Sequence, residues 1–129
     1  MIKKELESVK LFHKKFNIDY LNEPKANIPD KIKELRFKLM EEENLEYLKA
    51  AKDNDIVEIA DALGDMLYIL CGTIISHGLQ EKIEEIFQEI QNSNMSKLGE
   101  NGKPIYREDG KVLKGPKYFK PNINKILKL

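Results

Sequence analysis

The sequence predicts an all-α protein, a helical bundle with a lysine- and glycine-rich loop segment near its C-terminus. Three observations carry this. Apolar residues recur at spacings of three and four through residues 2–16, 31–52 and 80–97, the period of an amphipathic helix. The run Ile56 to Ile75 is apolar almost all round past Asp65, as in a helix covered on every side. The break between the second and third helices, Asp53-Asn54-Asp55, is short enough to make them antiparallel neighbours. With 129 residues, 41% of them hydrophobic, the chain is expected to form one domain over 1–129.

The first helix carries Ile2, Leu6, Val9, Phe12/His13 and Phe16 on one stripe. His13 is either a core or surface residue or a ring lining a pocket beside Phe12. Residues 17–30, with Pro24 and Pro29, read as a loop, and Asp30 as a cap for the next helix. Asp55 is placed to cap the third helix, and His77-Gly78 to end it. Over 80–97 the inward stripe is Ile83, Ile86, Phe87 and Ile90. Asn94 and Lys97 continue that stripe, so the helix either enters a polar site there or frays. Residues 98–121 hold four glycines and three prolines. They read as a loop or short hairpin turning at Glu108-Asp109-Gly110-Lys111, and their lysines suit a lid over an anion. Residues 122–129 read as a last half-turn or a loose end.

The chemistry concentrates on two facing stripes. At about 100° per residue, Glu42, Glu43 and Glu46 fall on the face that Ile32, Leu35, Leu39 and Ala50 mark as inward. Glu58, Asp61 and Asp65 lie within about 60° of arc on the next helix. Such carboxylates either neutralise or hold a cation, since unpaired buried charges cost several kcal/mol each. Oxygen donors without His or Cys suit a hard ion, Mg²⁺ with Mn²⁺ as substitute. Di-iron bundles place His three residues after Glu, and neither His13 nor His77 stands so. Arg36 sits at the edge of the acidic face, either paired with a glutamate or reaching a phosphate.

Net charge is zero, but residues 1–96 hold 13 Lys+Arg against 19 Asp+Glu, whereas 97–129 hold 9 against 3. An acidic cluster that holds cations and a basic tail together match a polyphosphate, the ion bridging its oxygens and lysines meeting the remaining charge. A nucleic-acid arm more commonly sits on a basic or neutral body, so no nucleic-acid partner is expected. The apolar run reads as too short and too acidic at its start to span a membrane. It points instead to a homodimer that covers it. The start Met-Ile-Lys-Lys-Glu has no signal-peptide core, and the single Cys71 reads as a buried reduced thiol, so a cytoplasmic location is expected. No phosphate-binding glycine loop, His-Glu-x-x-His or cysteine cluster occurs. Metal-assisted chemistry is what remains.

Glu42-Glu43-Asn44-Leu45-Glu46 resembles the Glu-Glu-x-x-Glu motif of the MazG-like all-α nucleoside triphosphate pyrophosphohydrolases, a group that includes dimeric dUTPases and phosphoribosyl-ATP pyrophosphohydrolase. Glu58 to Tyr68, Asn94-Met-Ser-Lys97 and Asp109-Gly-Lys111 with Lys114 extend the resemblance over most of the chain. It implies a MazG-like bundle, a dimer or dimer of dimers, and Mg²⁺-dependent hydrolysis of a nucleoside triphosphate to the monophosphate and pyrophosphate, as in cleaning of the nucleotide pool. Glu42, Glu43 and Glu46 would be metal ligands, with Glu43 or Glu46 also activating water. Asn94, Lys97, Lys111 and Lys114 would contact phosphates or sugar, beside Arg36 and His13. The tail favours dUTP or another deoxynucleotide over phosphoribosyl-ATP, and Phe12, His13 and Tyr20 are candidates for the base pocket. One departure stands out. Many relatives place Glu three residues before the Asp that aligns with Asp65, and here that position is Ala62. Either Asp61 substitutes and pairs with Asp65, the favoured register, or Glu58/Asp61 is the working pair. The competing class is a non-catalytic helical dimer that binds a nucleotide or a protein partner.

Overall fold

A computed structural model describes all of residues 1–129. It contains five helices and no strands: α1 (Lys3–Lys15), α2 (Asp30–Lys52), α3 (Ile56–Ser76), α4 (Ile83–Met95) and α5 (Ile123–Leu127). The chain divides into two compact units, Met1–Glu81 and Lys82–Leu129.

In the first unit α3 is the centre, with α2 and α1 both packed along it. The α2–α3 turn is set locally. Asn54 adopts a left-handed conformation (φ 53°), the Asp55 N–H donates to the Ala50 carbonyl (3.0 Å), and the Asp55 carboxylate accepts from the Glu58 N–H at 3.2 Å. Asp55 is therefore the expected cap of α3, and α2 and α3 pack together as that short turn requires. Asp30, by contrast, is the first residue of α2 and not its cap; Pro29 holds that place with no side-chain bond. At the far end of α3 the chain reverses through Gly78 (φ 68°). The Gly78 N–H bonds the Ile75 carbonyl (3.1 Å) and the Leu79 N–H the Ile74 carbonyl (3.0 Å), the paired bonds of a Schellman stop. The 17–29 loop is stitched to this end of α3. Leu21 N–H donates to the Ile75 carbonyl (3.0 Å), Lys25 N–H to that of His77 (2.9 Å), and the His77 Nδ1–H returns a bond to the Lys25 carbonyl (2.9 Å).

The buried apolar residues are Leu6, Val9, Ile28, Ala50, Ala62, Cys71, Ile74 and Ile75, all in the first unit and weighted toward the C-terminal half of α3. Two expectations change here. The α2 face read as inward is partly open, with Ala50 buried but Leu35 47% exposed. The length of α3 does not exclude a membrane span: its 21 residues reach a mean hydropathy of 1.5. What opposes that reading is the placement of Asp61 and Asp65, both inside the apolar stretch.

In the second unit α4 is shorter than the expected 80–97. Gln80 is drawn away, its side-chain amide donating to the Leu21 carbonyl at 2.7 Å, and Ser96 and Lys97 form a tightened last turn. Phe87 and Ile90 of its expected inward stripe are exposed. The basic segment forms the short hairpin its turn signal suggests. Tyr106 and Val112 make an antiparallel bridge, and the Leu113 and Arg107 N–H groups bond the carbonyls of Ile105 (2.7 Å) and Lys111 (2.8 Å). The chain then returns to α4, where the buried Ser93 hydroxyl donates to the Phe119 carbonyl at 2.8 Å.

Candidate active site

The acidic stripes of α2 and α3 meet at Glu43. This residue is partly buried, and its Oε2 is sealed from solvent with no hydrogen-bond partner. Burial pushes its carboxyl above the ordinary carboxylate range, and the charges of Glu46, Asp65 and Asp61 push it further. Glu43, Glu46, Asp61 and Asp65 thus form one electrostatic cluster across the helix pair. Helical geometry explains the set: Glu43 and Glu46 are one turn apart on α2, and Asp61 and Asp65 one turn apart on α3. Ala62, three residues before Asp65, is 1% exposed and belongs to the core.

The remaining sequence candidates lie elsewhere. Glu42 is exposed and does not figure among the groups acting on Glu43. Glu58 lines a cleft of 370 Å³ with Glu46, Lys49, Ala50, Asp53 and Asp55, at the α2–α3 turn. Lys49 in that cleft is held by Asp53, Nζ to Oδ2 at 2.8 Å. No three carboxylates converge closely enough to form a ready-made ion cage. The donors nevertheless fit a hard divalent ion: all are carboxylate oxygens, one is buried without a partner, and their mutual repulsion is uncompensated.

Arg36 bonds neither a glutamate nor an aspartate. Its Nε donates to Thr73 Oγ1 (3.1 Å) and its Nη2 to the Ile69 carbonyl (2.9 Å), laying the guanidinium against Gly72. A Cβ at Gly72 would collide with that guanidinium and crowd His13 Nε2 at 3.2 Å. His13 is 2% exposed, so it backs this junction and does not present a ring to solvent. Burial lowers the tendency of its ring to protonate, and the Arg36 charge adds to this. The Asp19 backbone acts in the opposite sense, although Nδ1 has no partner within hydrogen-bond geometry. Phe12 stacks on Phe16 (centroids 4.4 Å) and meets Tyr68 edge-on (5.7 Å), whereas Tyr20 lies under the Lys10 ammonium at 5.3 Å. The junction of Arg36 with Thr73 and Gly72 went unseen in the sequence; a glycine in mid-helix on the acidic face of α3 was its one available signal.

In the second unit, Asn94 is in the last turn of α4, and its carbonyl accepts from the Lys97 N–H at 3.1 Å. The Lys111 N–H is bonded by Asp109 Oδ1 at 3.1 Å within the hairpin turn, and Lys114 Nζ lies 4.9 Å from the Tyr118 ring centre.

A family model described as phosphoribosyl-ATP pyrophosphohydrolase matches residues 9–94. The chain belongs to this family. The match begins in α1 and ends at Asn94, so it contains both acidic stripes and the Arg36 junction. Among solved structures, the chain is similar to a provisionally assigned NTP pyrophosphohydrolase from Exiguobacterium sp. 255-15, at 27% identity and a TM-score of 0.50. The likeness covers 96% of this chain and 91% of that one, and with it the fold of this family member is MazG-like. No curated protein matches the chain.

Proposed function

We propose that this member of the phosphoribosyl-ATP pyrophosphohydrolase family hydrolyses a nucleoside triphosphate, dUTP or another deoxynucleotide, to the monophosphate and pyrophosphate. The observation that carries the reading is the half-buried Glu43 carboxyl, one oxygen of which is sealed from solvent without a partner while Glu46, Asp65 and Asp61 crowd it. A carboxylate cluster of this kind is held ready for cations that a polyphosphate brings with it. Mg²⁺, or Mn²⁺ in its place, would be held by Glu43, Glu46, Asp61 and Asp65, with Glu42 and Glu58 as outer candidates, and would neutralise the phosphate chain. Asp61 with Asp65 is the pair that acts on Glu43, which favours that register over Glu58/Asp61. In the reaction, water forms a new bond to phosphorus and the bond to the α–β bridging oxygen breaks. Glu43 or Glu46 takes the proton that water loses. The family resemblance assigns phosphate and sugar contacts to Asn94, Lys97, Lys111 and Lys114 of the second unit, while in the first unit the buried His13 supports Arg36 from behind and does not itself reach the substrate. A homodimer in the cytoplasm, free of membrane and nucleic acid, completes the reading.

The second reading, a non-catalytic nucleotide-binding dimer, is favoured by Ala62 and by the absence of a ready-made cage. Pyrophosphate release from a panel of standard and modified nucleoside triphosphates, with Mg²⁺, Mn²⁺ or EDTA, separates the two. The expected result is metal-dependent pyrophosphate with a monophosphate product, lost by at least a hundredfold in Glu46→Gln while the circular dichroism is unchanged. Full turnover in Glu46→Gln refutes the cluster as the catalytic site. Binding without product from any triphosphate selects the second reading.

A further inference from the structure

The acidic face of α3 does not end at Asp65. Tyr68 follows three residues on and Gly72 four beyond it, all on one side of the helix. The order along this seam is therefore carboxylates, aromatic ring, then the guanidinium of Arg36 seated at Gly72. From Asp65 to Gly72 the helix rises about 10 Å, the reach of a nucleoside from its phosphates to its base.

We propose that Arg36 and the Phe12–Tyr68 pair form the base-reading end of this seam and select nucleobases carrying a carbonyl at pyrimidine C4 or purine C6. This rests on the proposed nucleotide hydrolysis. Arg36 is rigidly aimed: Thr73 Oγ1 accepts from its Nε (3.1 Å) and itself donates to the Ile69 carbonyl (3.0 Å), which also accepts from Arg36 Nη2 (2.9 Å). These bonds use two of the five guanidinium N–H donors, and no carboxylate lies within ion-pair distance to take the rest. The charge is partly desolvated with no counter-ion, so it wants an acceptor from outside the chain. Tyr68, one helical turn before Gly72, and Phe12, one face of which is covered by Phe16, keep ring surface open at 43% and 37% exposure, and an aromatic face of either kind stacks a base. Tyr68 stands about 140° round α3 from the exposed apolar stripe of Leu63, Leu67 and Leu70, so a subunit seated on that stripe would leave it free. A guanidinium donates and never accepts. A carbonyl at the base edge satisfies it, whereas the amino group of cytosine or adenine sets donor against donor. His13 is buried beside the Arg36 guanidinium at Gly72, and burial and the Arg36 charge both disfavour its protonation, so it adds no second charge to this selection.

The test is steady-state pyrophosphate release by the full chain with Mg²⁺ on dUTP and dITP against dCTP and dATP. It is joined by calorimetric binding of the α,β-imido analogues of dUTP and dCTP. The wild type is expected to favour the carbonyl bases in KM roughly tenfold or more. Arg36→Gln should raise KM for the carbonyl bases by that factor and leave the amino bases within about threefold, collapsing the preference. Thr73→Val, which only loosens Arg36, should move KM the same way by less, with kcat held. Phe12→Ala should raise KM for all four. Equal KM for both groups in the wild type, or a preference that survives Arg36→Gln, overturns the proposal. If Arg36→Gln fails to fold by thermal melting, Thr73→Val and the wild-type analogue affinities decide. No turnover of any triphosphate sinks the hydrolase reading, while the two analogues still report whether the base edge is read.

Discussion

Glu43 is a carboxyl whose surroundings oppose its charge, which makes the metal-free protein sensitive to pH. Its folded-state value lies above the ordinary 4.5, so the native protein retains a proton that the unfolded chain releases. The stability this supplies is complete below 4.5 and is lost as pH rises through the raised value. The Glu43 contribution should therefore lower the melting temperature of the metal-free protein as pH rises from 4.5 through that raised value. Glu43→Gln should flatten that dependence and raise the melting temperature at neutral pH by a few degrees. Millimolar Mg²⁺ should stabilise the wild type by about 2–3 kcal/mol at a hundredfold excess over its dissociation constant, and the variant much less. Scanning calorimetry over pH, with and without Mg²⁺, checks both. A variant that melts lower than the wild type in EDTA would show that the Glu43 charge is not a burden.

At the scale of elements, the seam between α2 and α3 holds the chemistry, and its two ends are fixed by turn residues. The Asp53-Asn54-Asp55 turn sets the register that brings Glu43 and Glu46 opposite Asp61 and Asp65. The Gly78 stop ends α3 where the 17–29 loop is bonded to it. A side chain at Gly78 meets two obstacles: a left-handed backbone (φ 68°) and the Glu23 carbonyl, which occupies the place of a Cβ. Gly78→Ala is expected to cost about 2 kcal/mol or more, read as a lower urea midpoint with unchanged slope. An effect below about 0.5 kcal/mol would mean that the loop moves aside without loss.

For the whole molecule, the exposed apolar surface decides. On α3, Ile56, Leu63, Leu67 and Leu70 form one stripe, between 44% and 73% exposed, on the side away from Asp61 and Asp65. Exposed apolar stripes of this size are the kind of surface that subunit interfaces bury, in line with the proposed homodimer. The opposite face is spoken for by α2, so a second copy packed stripe to stripe would leave both acidic clusters intact. Sedimentation should give twice the 15.0 kDa chain mass for the wild type, and Leu67→Glu should halve it. A monomeric wild type at micromolar concentration would remove the dimer from the proposal.

The sequence by itself determined the helices, because their periodicity, the Asp55 cap and the Gly78 stop act within a few residues of chain. It also determined that two acidic stripes lie on consecutive helices with a turn too short to separate them. The Glu108–Lys111 turn was legible for the same reason, whereas residues 122–129, open between a half-turn and a loose end, were decided as α5 only by the structure. What it left open depended on distance in space. Which carboxylates feel one another was decided by the packing of α2 on α3, which joins Glu43 and Glu46 to Asp61 and Asp65 and leaves Glu42 outside. The two equal readings of Arg36, carboxylate partner or ligand contact, were narrowed only when Thr73 and the Ile69 carbonyl came within bonding distance. His13 was open between a core or surface residue and a pocket ring beside Phe12, and only the packing decided it: the 100° step between adjacent helical residues puts His13 in the core and Phe12 at the surface. Local rules write the elements; only tertiary contact sets which charges share a volume, because Coulomb and desolvation energies depend on separation and burial, which the order of residues does not contain.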